Sequence, residues 1–356
     1  MSIMTKVAYL VFAYKNPQLL KRAIKTLSTE HCAFFVHIDQ KIDINQFSCI
    51  SGENVFFTDK RVVVYWGEFS GIDAILLLIR QALGRAERYD HFVLLSGSEY
   101  PLRSSRYIHT FLEENQGSEF ISLLKMPSPG KPISRINTVR FESDKPVRRL
   151  AWRALSKVGL AERDYRQHLG GLEPYSGITW WTLSRNACDY VLRFTENNPH
   201  VERFFRNTFA PEETFIHTIL GNSPLRDRVR GHLLFEDWTD GSPTCPSPST
   251  PMTGGVGFRP HSLAFLTSRD VVVARLKGRK TYGATCPPPR ILTSQHVAFF
   301  EAQEKVWLDD VYGRREAFFA RKFSDDKLDL VDRLDRMIMR KEEPTSASSR
   351  VRSPGI

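Results

Sequence analysis

The stretch Val7-Ala8-Tyr9-Leu10-Val11-Phe12-Ala13 is apolar without a break. Such a run predicts a strand covered on both faces, as in a parallel sheet. Tyr14-Lys15-Asn16-Pro17 ends it, and Gln18 to Leu27 follows with Leu19, Leu20, Ala23, Ile24 and Leu27 at helical spacing. Ala33-Phe34-Phe35-Val36-His37-Ile38-Asp39 reads as a second buried strand closing on an acid. Strand, helix, strand implies a right-handed crossover and an open α/β sheet flanked by helices. Ligands of such sheets lie beyond the carboxyl ends of the strands. Tyr14, Lys15 and Asp39 therefore stand where a ligand would sit.

The pattern continues outward from that unit. Val55 to Phe57 and Val62 to Trp66 read as short β-rich pieces, and Gly71 to Leu83 as an apolar helix. His91 to Leu95 is another buried strand, ending in Ser96-Gly97-Ser98-Glu99-Tyr100-Pro101-Leu102-Arg103. A helix over Tyr107 to Glu114 and a strand over Glu119 to Leu124 follow. The segment 147–166 is basic and amphipathic: a solvated helix face, or a surface that docks on an anionic membrane or acceptor. Tyr175 to Ser184 alternates aromatic and small residues, like a strand beside a cleft. Arg185 to Thr195 reads as helix, Leu233 to Trp238 as a short strand and Asp325 to Lys341 as an amphipathic helix. Residues 240–258 read as a loop, and the tail 341–356 has the composition of disorder.

With 356 residues, 41% hydrophobic and 25% charged, the chain matches a globular protein with a large core. No apolar run has membrane-spanning length and no signal-peptide layout precedes Val7. The five cysteines form no Cys-x-x-Cys pair, so neither a zinc site nor a disulfide framework is indicated. A cytoplasmic protein, peripheral at a membrane through 147–166, is the expectation. The net charge of +10 favours an anionic partner.

Phosphate loops, Gly-x-Gly-x-x-Gly, Gly-x-Ser-x-Gly and Asp-x-Asp are all absent. Phe209-Ala210-Pro211-Glu212-Glu213-Thr214-Phe215-Ile216-His217-Thr218 places two acids behind a proline at a helix start. Taken alone it is a capped, acidic helix terminus. The sharper reading is a carboxylate fixed there as a general base. His37 reads as a hydrogen-bonded strand histidine, and Arg321-Lys322 alone as a solvated pair.

Seven blocks in order change that balance. They are Tyr14, Val36 to Asp39, Trp66-Gly67, Leu95 to Arg103, Tyr175 through Arg185, Pro211 to Thr218 and Phe319-Ala320-Arg321-Lys322-Phe323. Together they resemble the core-2/I-branching N-acetylglucosaminyltransferases and the peptide O-xylosyltransferases, over about 6–238 and again over 316–340. The resemblance implies one GT-A type nucleotide-sugar domain over 1–340, with a variable insertion at about 240–315 that sets acceptor choice. It implies inverting, metal-independent transfer of a xylose- or N-acetylglucosamine-class sugar from a UDP-sugar to a hydroxyl of a glycan or other acceptor. In a cell this would serve polysaccharide or surface-glycan biosynthesis, with no cofactor. Glu213 maps to the base and Arg321 with Lys322 to the diphosphate. Ala13, Tyr14, Lys15, Asp39, Tyr65, Trp66, Glu99 and Trp180 map to the donor site. Glu99 stands where relatives carry Asp, and Thr179 departs from a relative's Asp. Two other classes compete: a non-catalytic carbohydrate- or nucleotide-binding scaffold on the same fold, and a nucleic-acid binder, which is not expected.

Overall fold

The computed structural model describes residues 5–128, 130–140, 150, 161–238, 289–310 and 313–342. Most of 147–160, all of 239–288 and the tail from 343 lie outside the described residues, and with them much of the basic segment, the proposed insertion and the tail.

The elements run β1 (Val7–Ala13), α1 (Pro17–Leu27), β2 (Cys32–Ile38), β3 (Val55–Phe57), α2 (Ser70–Leu83), β4 (His91–Leu95), β5 (Glu99–Pro101) and α3 (Ser105–Glu114). Then come β6 (Leu124–Lys125), α4 (Ser134–Asn137), β7 (Tyr175–Ser176), β8 (Thr182–Ser184), α5 (Arg185–Asn197), α6 (Pro199–Phe205) and α7 (Phe215–Gly221). The last are β9 (Leu234–Glu236), α8 (Ser294–Ala302), β10 (Trp307–Asp310), β11 (Gly313–Glu316), β12 (Phe319–Arg321) and α9 (Leu328–Glu342).

The main sheet has the order β3-β2-β1-β4-β8, parallel except where β8 joins β4 antiparallel. It is an open mixed sheet flanked by helices, the architecture that the apolar runs predict. β1 and β2 are buried along almost their whole length because each has a strand on both sides and helices over both faces. Helix α1 works on two fronts. Leu20, Ile24 and Leu27 join the main core, while Leu19 and Ala23 join a second cluster with α8, α9, Tyr100, Phe235 and Phe323. A separate three-stranded sheet, β5-β12-β9, links the two clusters.

Three local expectations are corrected. Val62 to Trp66 is not a strand: the Val62 amide is taken by His37 Nε2 at 2.8 Å and the Val62 carbonyl by the Gln40 amide at 3.0 Å. Tyr175 to Ser184 is not continuous but breaks into β7 and β8 around Gly177. Glu119 to Leu124 forms only single bridges from Glu119 and Phe120 before β6 begins. The loop expected over 240–258 lies outside the described residues, and the described part of 240–315 holds α8, β10 and most of β11. Among the described residues no helix is long and apolar enough to cross a membrane.

The closure between α3 and β11 rests on a buried ion pair. Arg103 Nε donates to Glu316 Oε1 at 2.5 Å, and Tyr107 Oη donates to the other oxygen at 2.9 Å. Removing one partner of a buried pair leaves an uncompensated charge. Arg103→Ala should therefore lower the unfolding free energy by about 3–5 kcal/mol, and Arg103→Met by less, measured as shifts of the urea midpoint at constant slope.

Candidate active site

The carboxyl ends of β1 and β2 face one cleft. The Asp39 amide donates to Ala13 O at 2.9 Å, and Asp39 Oδ1 accepts from the amides of Lys41 at 3.0 Å and Val64 at 3.3 Å. Lys41 Nζ lies 3.3 Å from Asp39 Oδ2 and 4.5 Å from the Tyr65 ring centroid. Asp39, Tyr65 and the end of β1 are thus one unit, and Lys41 belongs to it. Tyr14 and Lys15 are exposed beside it. The Ser96-Gly97-Ser98 turn closes against the same edge. A Cβ on Gly97 would come within 2.8 Å of Lys15 O, so only glycine fits that approach. His37 is buried, and burial draws its pKa down to about 4, so it serves as a neutral acceptor in the strand.

β12 supplies the floor. In register, Arg321 stands opposite Glu99 on β5 and opposite Glu236 on β9. Its Nε lies 3.0 Å from Glu99 Oε1 and its Nη1 donates to Glu236 Oε1 at 3.1 Å. The guanidinium also lies over the Trp180 ring at 4.4 Å, and Trp180 stacks on Phe12. Glu99, 2% exposed, turns its carboxylate back to the Ser96 amide and hydroxyl. Lys322 makes no ion pair with any described residue. Burial, then Arg321 and Lys15, draw its pKa down to about 8.

Glu213 closes the other side. Pro211–Glu213 forms a 3-10 turn ahead of α7, entered through Ala210 in the left-handed region at φ 50°. The Ala210 amide donates to Gly67 O at 3.0 Å and Phe209 packs edge-on to Trp66, so the Trp66-Gly67 block seats the Pro-Glu-Glu block. Trp66 itself is 75% exposed. Glu213 O accepts from the Gly177 amide at 2.9 Å, and a Cβ on Gly177 would clash with Ser122 O and His217. The Glu213 carboxylate is paired through one oxygen, Oε2, with both Lys131 Nζ and Arg135 Nη1. Burial would raise its pKa, but Lys131 and Arg135 outweigh burial and hold it down at about 2. Glu212 behaves oppositely: burial, then the charge of Glu213, push it up to about 8. Its Oε2 has no hydrogen-bond partner.

Of the expected site residues, Glu99, Trp180 and Arg321 are thus brought into contact, and Glu213 approaches them through Glu236. Glu213 is near enough to Glu236 to raise its pKa beside burial, and Glu236 bonds Arg321. Lys41, Lys131, Arg135 and Glu236 escaped the sequence reading. Glu236 carries a signal, a charge closing the apolar Leu233 to Phe235 run. Lys131 and Arg135 carry none, since they sit in or just after a proline-rich loop. Among the described residues no group of three or more His, Cys, Asp or Glu could hold a metal ion.

A family model described as Core-2/I-Branching enzyme matches residues 7–257. Xylosyltransferase 2 of Rattus norvegicus is 26% identical over 250 residues, 66% of this chain and 27% of that protein. Xylosyltransferase 2 of Homo sapiens is 28% identical over 234 residues, 61% of this chain and 25% of that protein. The chain spans about a quarter of the length of these curated relatives. The solved apo form of mouse xyloside xylosyltransferase 1 covers 62% of this chain and 83% of its own at 11% identity and a TM-score of 0.26, too loose a likeness to support an argument.

The two adjacent acids should oppose each other in stability against pH. Glu213, depressed to about 2, contributes stability above its unfolded pKa of about 4.3 and loses it as pH falls toward 2. Glu212, raised to about 8, binds a proton in the fold that the unfolded chain has released, so stability falls as pH rises from about 4.3 to 8. Glu212→Gln should therefore gain melting temperature over the parent progressively from pH 5 to pH 8 in thermal scans. An unchanged difference across that range would contradict the assignment.

Proposed function

This chain belongs to the Core-2/I-Branching enzyme family, and from that premise we propose that it is a GT-A type glycosyltransferase. It moves a sugar of the xylose or N-acetylglucosamine class from a UDP-sugar to a hydroxyl of a glycan or other acceptor. The observation that supports this reading is the contact between blocks far apart in sequence. Arg321, next to Lys322, lies over Trp180 and bonds Glu236, which Glu213 approaches closely enough to raise its pKa.

The roles follow from chemistry. A sugar hydroxyl is a weak nucleophile, and Glu213 accepts its proton as it attacks the anomeric carbon. Attack on the face opposite the diphosphate inverts that carbon. The leaving diphosphate gathers negative charge, which fixed cations stabilise. Arg321 is already shared by Glu99 and Glu236, so its part is to fix the strand and the Trp180 face. Lys322 and Lys15 carry the charge that the diphosphate answers, and the transfer proceeds without a metal. Asp39, Tyr65 and Trp66 border the nucleoside side, with Ala13 and Tyr14 at the strand end. The scaffold reading gains no support, because the carboxylate and the cations that transfer needs are all present.

Purified protein should turn over at least one sugar in a panel of UDP-xylose, UDP-N-acetylglucosamine and other UDP-sugars with EDTA present. Strict dependence on added Mn²⁺ would overturn the metal-independent part. Glu213→Gln should lower transfer by roughly 10²–10⁴-fold while leaving the Kd for UDP, measured by calorimetry, nearly unchanged. Lys322→Ala should weaken UDP binding by roughly tenfold, as expected for one charge-assisted contact.

A further inference from the structure

A carboxylate held by two cations is a poor base. Glu213 Oε2 takes both Lys131 and Arg135, and neither cation has another ion-pair partner among the described residues. Lys131 Nζ also donates to Gly177 O at 3.0 Å, so it is fixed from the backbone as well as from the acid. One carboxylate answers one positive charge, so among the described residues this cluster keeps an excess cation. Arg140 adds to the excess from beside it. It lies over the Phe209 ring at 4.0 Å, and Arg135 lies over the same ring at 5.6 Å. Burial, and then Arg135, disfavour the charge on Arg140. The neighbouring acid does not relieve this: Glu212 is held largely protonated at neutral pH. The cluster is on the Glu213 side of the cleft, whereas Lys322 and Lys15 serve the donor side.

We infer that the acceptor carries an anionic group, a carboxylate or a phosphate, that draws Lys131 and Arg135 away from Glu213 and so unmasks the base. The inference rests on the glycosyltransferase reading given above. It makes acceptor recognition and base activation one event. The acceptor's anion takes the two donors, and Glu213, released from them, regains proton affinity. The acceptor O–H proton then moves to Glu213 as the oxygen bonds the anomeric carbon. The bond from that carbon to the diphosphate oxygen breaks, and UDP leaves with the electron pair. A neutral acceptor leaves both cations on Glu213 and meets a carboxylate that accepts no proton.

The test compares p-nitrophenyl glucuronide and p-nitrophenyl 6-phosphoglucoside with neutral p-nitrophenyl glucoside, using the UDP-sugar that the wild-type protein hydrolyses. Slow hydrolysis to free sugar and UDP is recorded first, without acceptor. Its complete absence for every UDP-sugar would sink the glycosyltransferase reading itself. With hydrolysis present, at least one anionic acceptor should exceed the neutral one in kcat/KM by roughly tenfold or more, the worth of one charge-assisted contact. Preference for the glucuronide or for the phosphate arm identifies which anion the site takes. In Lys131→Met and Arg135→Met the ratio of anionic to neutral acceptor should fall toward one while UDP affinity is kept. Equal or better transfer to the neutral acceptor, or no transfer to either anionic one, would overturn the inference and leave the donor-side reading standing. A ratio that survives both substitutions would overturn it too.

Discussion

A guanidinium held between two carboxylates governs the geometry of this molecule. Arg321 lies on the central strand of β5-β12-β9, with Glu99 on one side and Glu236 on the other. A buried charge is tolerable only when its partners are fixed, and here both partners come from neighbouring strands. The pairing brings together residues more than two hundred positions apart. It also closes β12 between the core under α2 and the cluster that holds α8 and α9. Trp180 lies under the same guanidinium, so the loop between β7 and β8 is held by it as well. Two acids already answer Arg321, and the next residue, Lys322, makes no ion pair with any described residue.

The sheet was legible in the sequence because burial on both faces leaves a plain mark. Val7 to Ala13 and His91 to Leu95 contain nothing but residues that fit between helices, and both are strands with those bounds. The helix over Pro17 to Leu27 was legible by its period, with its apolar positions all buried. Val62 to Trp66 misled because β-branched composition does not show whether a neighbouring strand exists. Its amides answer His37 and Asp39 side chains instead of a ladder. The break at Gly177 was equally hidden, since it depends on the approach of Ser122 and His217 from distant positions.

The site divides in the same way. Asp39 and Glu99 follow apolar strands and Glu213 precedes an apolar helix, where a charged residue is conspicuous. Lys131 and Arg135 lie in or just after a proline-rich loop, and no local pattern says that they will meet Glu213. Their partner is fixed by the Phe209 amide, which donates to Arg135 O at 3.0 Å, and by the Gly67–Ala210 bond. Long-range backbone contacts of this kind have no signature in composition or period. The ordered blocks single out Glu213 as the proposed base, whereas the two cations paired with it emerge only once the chain is folded.

Electrostatics gives the cleft two unsatisfied poles. On one side Lys322 is destabilised by burial and by the neighbouring charges of Arg321 and Lys15. On the other, Lys131 and Arg135 share a single carboxylate oxygen. Neither arrangement is the one that would maximise the stability of the protein alone, since like charges are gathered where opposite charges could have been placed. Anions arriving from outside would relieve both: on the reading proposed above, a diphosphate would answer the first pole and an anion on the acceptor the second. Glu212 fits this economy: as a largely neutral acid next to Glu213, it adds little negative charge of its own to the acceptor pole. A second ionised carboxylate there would offset the attraction for an anionic acceptor. The difference between the two adjacent glutamates is thus a property of their surroundings: Lys131 and Arg135 pair directly with Glu213, while at Glu212 their pull is outweighed by burial and by the charge of Glu213.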